Sequence, residues 1–285
     1  MGAPVSLSVL TIVRNRTAHL VNLLEGVRRS AVQPDEVIVV DMSDEPVALT
    51  GLQPFVRIER LETAGLPLAR ARNRAAACAK GERLVFMDVD CIPMRECLGR
   101  LSAAIEDTDG LVCAEVRYLG PGDAAAGWDE ALLMGKGRTH PVRPFPHDGL
   151  ERVSNPGLFW SLAFAIRRST FETIGGFDER FTGYGGEDTD LGFAAHQSGC
   201  PLYFLGGALA CHQYHESFDP PLQHLDDIVA NANRFRRKWG IWPMSGWLEQ
   251  FAQHGLIAWQ SDNVRTLRRP SEDEIDNARS TWPAD

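Results

Sequence analysis

Alternation of short apolar stretches with helix-patterned ones predicts an α/β protein, a mostly parallel central sheet flanked by helices and followed by a helical C-terminal extension. Three observations carry this. Stretches such as Glu36–Asp41 (EVIVVD) and Leu84–Met87 are apolar throughout, as strands buried on both faces must be. The segments between them repeat their apolar residues at helical spacing. Carboxylates gather where the strands end, and in open α/β sheets ligands bind beyond the strands' carboxyl ends.

The first strand is expected over Val5 to Val13, where Ser alternates with Val, Leu and Ile. It ends at Arg14-Asn15-Arg16, and Thr17 can cap a helix carrying Leu20, Leu23, Leu24 and Val27. Pro34 closes that unit, Glu36–Asp41 forms the second strand with Asp44 just after it, and Phe55 to Glu59 the third. Gly65-Leu66-Pro67 introduces an alanine-rich helix that breaks at Gly81. The fourth strand, Leu84–Met87, delivers Asp88 and Asp90. Residues two apart on a strand point to one side, and two anions this close repel unless a cation lies between them. A hard divalent ion with oxygen ligands answers that need and commonly bridges substrate phosphates. Alternatively, Asp90 could simply cap the helix after Pro93. Asn15, Asp41, Asp44, Asp88 and Asp90 thus fall along one rim.

Two nucleotide-binding schemes are excluded. The first strand is followed by VRNRTAH rather than GxGxxG, and no GxxxxGK[ST] occurs. Phosphates would instead meet a metal and arginines, with Arg14, Arg16, Arg70, Arg72 and Arg74 available. Arg70 shares a helix face with Asn73 and Arg74, which could equally be a solvated basic face.

Farther along come a helix over Arg95–Ile105 and a strand over Leu111–Tyr118. Residues 120–156, rich in Gly and Pro and containing His140 and His147, read as an irregular excursion over the site. Gly157–Ile166 is expected as a strand, with Ser169 or Thr170 capping the next helix. In the stretch Gly176 to Asp190, glycines at 183, 185 and 186 permit close ligand approach, and Glu187, Asp188 and Asp190 open a helix. Acids in a first turn suit the helix dipole in any case; here one of them could also stand ionised as a general base, with Tyr184 stacking on a sugar. A short strand from Ala208 ends at His212, and His215 follows. These imidazoles can be solvent-facing or can join the acidic rim around a cation, a mixed set that suits manganese better than magnesium. After Pro220 a helix over Leu222–Trp239 has a basic end, and Trp239, Trp242 and Trp247 could form core or an acceptor surface.

The 285 residues are 44% hydrophobic and 24% charged, enough for a sizeable core. A net charge of −9 argues against a nucleic-acid groove. No run approaches the roughly 18 apolar residues of a membrane span, and the first ten residues do not read as a secretory signal. Six cysteines without a CxxC read as reduced thiols in a cytoplasmic setting.

Together, RNRTAHL (14–20), FMDVDCIP (86–93), TIGGFDERFTGYGGEDTDL (173–191) and HQYH (212–215) resemble the inverting, metal-dependent GT-A-fold glycosyltransferases of family 2, of the β-1,4-galactosyltransferase and chondroitin-polymerase type. The GGED block is the specific part, and the match runs from about residue 5 to 216. The resemblance implies a glycosyltransferase domain over 1–219, divided into a nucleotide-sugar-binding half (1–118) and an acceptor and catalytic half (119–219), with 220–285 as the extension. It implies Mn2+ (or Mg2+) on Asp90 with His212 or His215, His212 preferred because it ends its strand. The implied donor-binding set for a UDP-sugar is Thr11, Val13, Arg14, Asn15, Asp41, Arg70, Asn73, Asp88, Val89 and Asp90. Asp188 would be the catalytic base, Glu187 would orient the acceptor, and Tyr184, Gly185, Gly186 and Trp160 would contact it. The acceptor would be a glycan, glycolipid or small molecule; a homodimer is left open. Tyr184 stands where tryptophan is common, Thr189 replaces an acid, and the chain lacks the anchor of Golgi enzymes, so it resembles a bacterial soluble homologue. Two other classes compete: a sugar-nucleotide nucleotidyltransferase, whose Gly- and Arg-rich loop is missing, and a catalytically silent carbohydrate-binding protein, which would leave the acids without a purpose.

Overall fold

A computed structural model describes residues 6–51, 53–125 and 127–280; Val5, expected in the first strand, and the last five residues of the extension lie outside them. The elements are β1 (Leu7–Val13), α1 (Thr17–Arg29), β2 (Glu36–Asp41), β3 (Val56–Arg60), α2 (Leu68–Cys78), β4 (Arg83–Met87), β5 (Cys91–Pro93), α3 (Cys97–Asp107), β6 (Leu111–Tyr118), α4 (Glu130–Lys136), β7 (Gly149–Val153), β8 (Ala163–Arg167), α5 (Arg168–Ile174), α6 (Glu187–Gln197) and β9 (Leu202–His212). The C-terminal part adds β10 (Ser217–Phe218), α7 (Leu225–Trp239), α8 (Ser245–Gln253), β11 (Ile257–Trp259), β12 (Val264–Thr266), α9 (Glu272–Asn277) and β13 (Arg279–Ser280).

The central sheet runs β3-β2-β1-β4-β8-β6-β9-β5, with β7 also on β9. β1, β2, β3, β4, β6 and β9 share one direction, while β8, β5 and β7 oppose it. The chain moves outward from β1 to β2 and β3, then returns to β4 on the other side of β1. That reversal opens a crevice at the carboxyl ends of β1 and β4, the customary ligand position in such sheets. Both faces are covered, as the unbroken apolar strands require. One apolar layer joins Val9, Val37, Val39 and Val85 to Leu20 and Leu23 of α1 and Leu98 and Leu101 of α3. The other joins Leu10, Ile38, Phe86 and Phe164 to the alanines of α2 and Leu191 of α6. A third cluster packs Leu225 and Ile228 of α7 against Leu248 and Phe251 of α8.

Several local expectations are corrected. Asp88 and Asp90 lie in the turn between β4 and β5, and the next helix begins only at Cys97, so Asp90 caps nothing. Thr17 is the first residue of α1, and no side chain caps that helix. Ser169 and Thr170 fall inside α5 rather than at its cap. The strand expected over 157–166 is a 3-10 turn at Pro156–Leu158 followed by β8, because Asn155 accepts from Gly157 N and bends the chain. Residues 120–156 are not wholly irregular, since they contain α4 and β7. β9 is longer than expected: Gly206 and Gly207 form a bulge where its pairing with β6 slips between Ala114 and Glu115, and Gly207 has φ +77°. The bulge lets one strand continue from the core to His212.

Candidate active site

Asp90 lies in the turn beyond β4, and its backbone carbonyl accepts from Gln213 N at 2.7 Å, tying the turn to the end of β9. The pairing of β5 with β9 puts Cys91 opposite His212. The Asp90 carboxylate therefore faces both imidazoles: Oδ1 is 3.4 Å from His212 Nε2 and Oδ2 is 3.5 Å from His215 Nε2. One ligand atom from each of the three residues lies within 4.8 Å of the others. Burial works against the Asp90 charge, but His212, Arg16 and His215 outweigh it and hold its pKa below the usual value. Burial, aided by Arg16 and His212 against Asp90, pulls His215 down to about 4, so its ring is neutral at pH 7 with a lone pair to give. An ionised carboxylate and neutral imidazole nitrogen form a donor set that fits a borderline divalent cation such as manganese. Three protein ligands leave further positions for substrate oxygens. Arg16 donates to Asp90 Oδ2 at 2.5 Å and supplies positive charge to the cluster.

Asp88, two residues earlier, faces a different partner. Arg72 of α2 donates Nη2 to Asp88 Oδ1 at 2.9 Å and Nη1 to Glu187 Oε1 at 3.0 Å. One buried guanidinium thus joins the end of β4 to the start of α6. Three carboxylates act on it, because Asp188 is also in its field, and they raise its pKa against the cost of burial. Burial and the neighbouring Asp188 lift Glu187 to about 7, with Arg72 opposing. Burial, and then Asp90, likewise push Asp88 up against Arg72.

The acidic start of α6 is presented by a glycine loop that α7 holds. Gly183, Gly185 and Gly186 all have positive φ (72°, 86° and 91°), a region open to glycine. Asn231 of α7, 1% exposed, donates Nδ2 to Thr182 O at 2.9 Å and to Gly185 O at 2.8 Å. Asp227 accepts from Tyr184 N at 3.2 Å and fills the space where a Gly183 side chain would stand. Tyr184 stacks on His224 at 4.3 Å between ring centres, so one face of its ring is covered. Asp188 is half-buried, and its Oδ1 accepts from Thr189 N at 2.6 Å.

The remaining expected site residues divide into two groups. Arg14 and Asn15 stand at the rim, where Asn15, in the left-handed region at φ 54°, exchanges hydrogen bonds with Asp44. Arg14 reaches Asp44 and the carbonyl of Gly65. Others turn inward. Asp41 is 1% exposed and accepts from Ser43 N, Val47 N and Arg60, so it organises the loop beneath the rim instead of lining it. Thr11, Val13 and Val89 are buried, Asn73 clamps Phe177 through both its amide atoms, and Arg70 points outward on α2. Trp160 packs edge-on against His140 at 4.8 Å. Asp227 and Asn231 were not singled out from the sequence, and Arg16 and Arg72 were named only among the arginines available to phosphates, not as partners of Asp90 or of Asp88 and Glu187. Arg72 had a readable signal: it shares the buried face of α2 with Ala69, Ala75 and Ala76 at helical spacing, where an arginine needs a buried partner. Asn231 carried none, since its partners are backbone carbonyls 46 and 49 residues away.

The crevice at the strand ends thus gathers carboxylates, imidazoles and arginines, and comparison with known proteins gives the family. The model for glycosyl transferase family 2 matches residues 8–175, and that described as the N-terminal domain of galactosyltransferase matches residues 153–216. The chain belongs to glycosyl transferase family 2. It is 26% identical to validoxylamine A glucosyltransferase of Streptomyces hygroscopicus subsp. limoneus (81% of this chain, 56% of that one). It is 31% identical to human polypeptide N-acetylgalactosaminyltransferase 13 (73% and 40%) and 23% identical to chondroitin synthase of Pasteurella multocida (73% and 25%). The chain thus spans little more than half, or less, of each of these relatives. Among solved structures, GalNAc-T7 with UDP, GalNAc and Mn2+ superposes with a TM-score of 0.57 at 18% identity (87% of this chain, 57% of that one). TarS 1-349 of S. aureus in complex with UDP-GlcNAc gives 0.55 at 16% identity (81% and 73%). The fold is the GT-A type, mixed α/β with a mostly parallel central sheet.

Proposed function

We propose that this chain is a metal-dependent, inverting glycosyltransferase that moves a hexose or N-acetylhexosamine from a UDP-sugar to an acceptor hydroxyl. The observation that carries the reading is the Arg72 bridge, which draws Asp88 and the Glu187-Asp188 pair to one guanidinium while Asp90, His212 and His215 form a cation cluster beside it. In this reading Asp90, His212 and His215 hold manganese, which when bound would neutralise the diphosphate leaving group. Arg16, already within the cluster, and Arg14 at the rim add positive charge on the donor side. Asp88, fixed by Arg72, faces the donor's sugar or ribose. Asp188, at the mouth of the glycine loop, accepts the proton of the attacking hydroxyl, and attack from that side inverts the anomeric centre. Glu187 is expected to orient the acceptor; with its charge committed to Arg72, it serves better to fix the first turn of α6 and so the aim of Asp188. The reading extends to the organisation of the chain: residues 1–219 act as the transferase domain, and 220–285 brace its glycine loop. Among the described residues no helix is long and apolar enough to cross a membrane; we place the enzyme in the cytoplasm.

The test is Asp188→Asn. Loss of a positioned general base costs roughly 10²–10⁴-fold, so sugar transfer should fall by at least two orders of magnitude. The thermal shift produced by UDP-sugar with manganese should stay within a degree or two of wild type. A variant that transfers sugar at full rate would remove Asp188 from the role.

A further inference from the structure

Beside Tyr118 lies a cavity of about 220 Å³ whose walls include Glu115, Tyr118, His140, Arg143 and Phe145. It adjoins the cation cluster through one ring, since Tyr118 is 5.1 Å from His212 and 5.9 Å from His140 between ring centres. Arg143 is only 4% exposed, yet its Nε and Nη2 have no hydrogen-bond partner. No ion pair to Arg143 occurs among the described residues. The acid that shares the cavity, Glu115, is engaged by Arg117 Nε at 2.9 Å. The guanidinium is instead packed among aromatic rings, 4.8 Å from the centre of Trp160, 5.1 Å from Phe204 and 5.4 Å from Phe145. Such rings hold a cation in place but do not satisfy the N–H groups at its edge. A buried charge with open donors is costly unless an anion completes it, and a guanidinium's fork matches carboxylate and phosphate oxygens. The neighbouring groups suit an anion too: the Tyr118 phenol in the wall can donate its O–H. His140 Nδ1 accepts from Val142 N at 3.3 Å, leaving the ring's proton on Nε2.

We infer that this cavity is an anion subsite, in which Arg143 receives a carboxylate or phosphate carried by the acceptor. The acceptor assignment rests on the proposed transferase reading, because the cavity lies one aromatic ring from the cluster that would hold the donor's diphosphate. The anion site itself does not rest on it. Trp160, expected as an acceptor contact, then acts by backing Arg143.

Calorimetric titration of the full chain without donor, using methyl β-glucuronide, inorganic phosphate and neutral methyl β-glucoside, tests the inference. Wild type should bind glucuronide or phosphate and not glucoside. Arg143→Met should weaken that binding at least about tenfold, the loss expected when a charge-assisted bidentate pair is removed. Arg143→Lys, which keeps the charge and the apolar stem, should fold like wild type and still bind more weakly. Preference for glucuronide assigns the group to a uronic acid, and preference for phosphate to a phosphoester. No anion binding by wild type, or binding by both variants as tight as wild type, overturns the inference. The stabilisation given by UDP with manganese is recorded in parallel. If that is present while anions fail to bind, the transferase reading survives without the subsite; if it is absent while anions bind through Arg143, the subsite survives without the reading.

Discussion

Asp88 and Asp90 are two residues apart in one turn, yet they occupy opposite electrostatic settings. Asp90 sits among two imidazoles and Arg16, which together lower its pKa in spite of burial. Asp88 shares Arg72 with Glu187, and burial and its neighbour Asp90 push it up. The difference lies in the ratio of acids to fixed cations. Around Arg72, three carboxylates act on a single guanidinium buried in a helix; around Asp90, one carboxylate meets groups that can give lone pairs or move aside. The first arrangement builds a framework, because removing its cation leaves buried anions unpaired. The second is built to exchange partners, since Arg16 is about one-third exposed and the histidine rings can turn their nitrogens to a cation.

The sharpest way to break this comparison is Arg72→Met. Removing one partner of a buried ionic network costs about 3–5 kcal/mol, so the urea midpoint should fall more than in Arg16→Met, where the lost side chain is about one-third exposed and His212 and His215 still face the buried Asp90. Equal losses would mean that the two settings are not different in kind. A smaller effect is expected on the cation side. His212→Ala or His215→Ala should lower manganese affinity by at least about tenfold, read as loss of the manganese-dependent thermal shift, while unfolding without metal changes little. The smallest effect concerns pH. Glu187 titrates near 7 in the folded protein against an ordinary value of 4.5. A raised carboxyl pKa means that the folded state holds the proton more tightly. Its contribution is therefore complete below about pH 4.5 and is lost as pH rises through about 7. Glu187→Gln should flatten the decline in urea midpoint between pH 5 and pH 8 relative to wild type; an unchanged slope would show that Arg72 keeps Glu187 ionised throughout.

Local chemistry made much of the sheet legible. Strands β2 and β4 could be read because their centres are continuously apolar, as burial on both faces requires, and β1 because its small polar residues are set among Val, Leu and Ile. The acids of the β4–β5 turn, the GGED block and the histidines after β9 were legible because few folds have a use for them at those points. Reading failed where the determinant was a distant partner. Asp41 reads like a rim acid, but Ser43, Val47 and Arg60 enclose it. Tyr184 reads like a free sugar platform, but His224 takes one of its two faces. Arg143 sits in what reads as a loop, yet Trp160 and Phe204 from two other segments, with its neighbour Phe145, bury it.

By itself, then, the sequence determined the α/β class, the strand ends that carry acids and the glycines that let α6 begin in a sharp turn. Those follow from hydropathy period and backbone sterics, which act over a few residues. Only the tertiary structure decided which arginine joins which acids and which guanidinium is buried without a counter-ion. Charge pairing is settled by distance in space and by exclusion of water, and neither quantity is written in the spacing of residues along the chain.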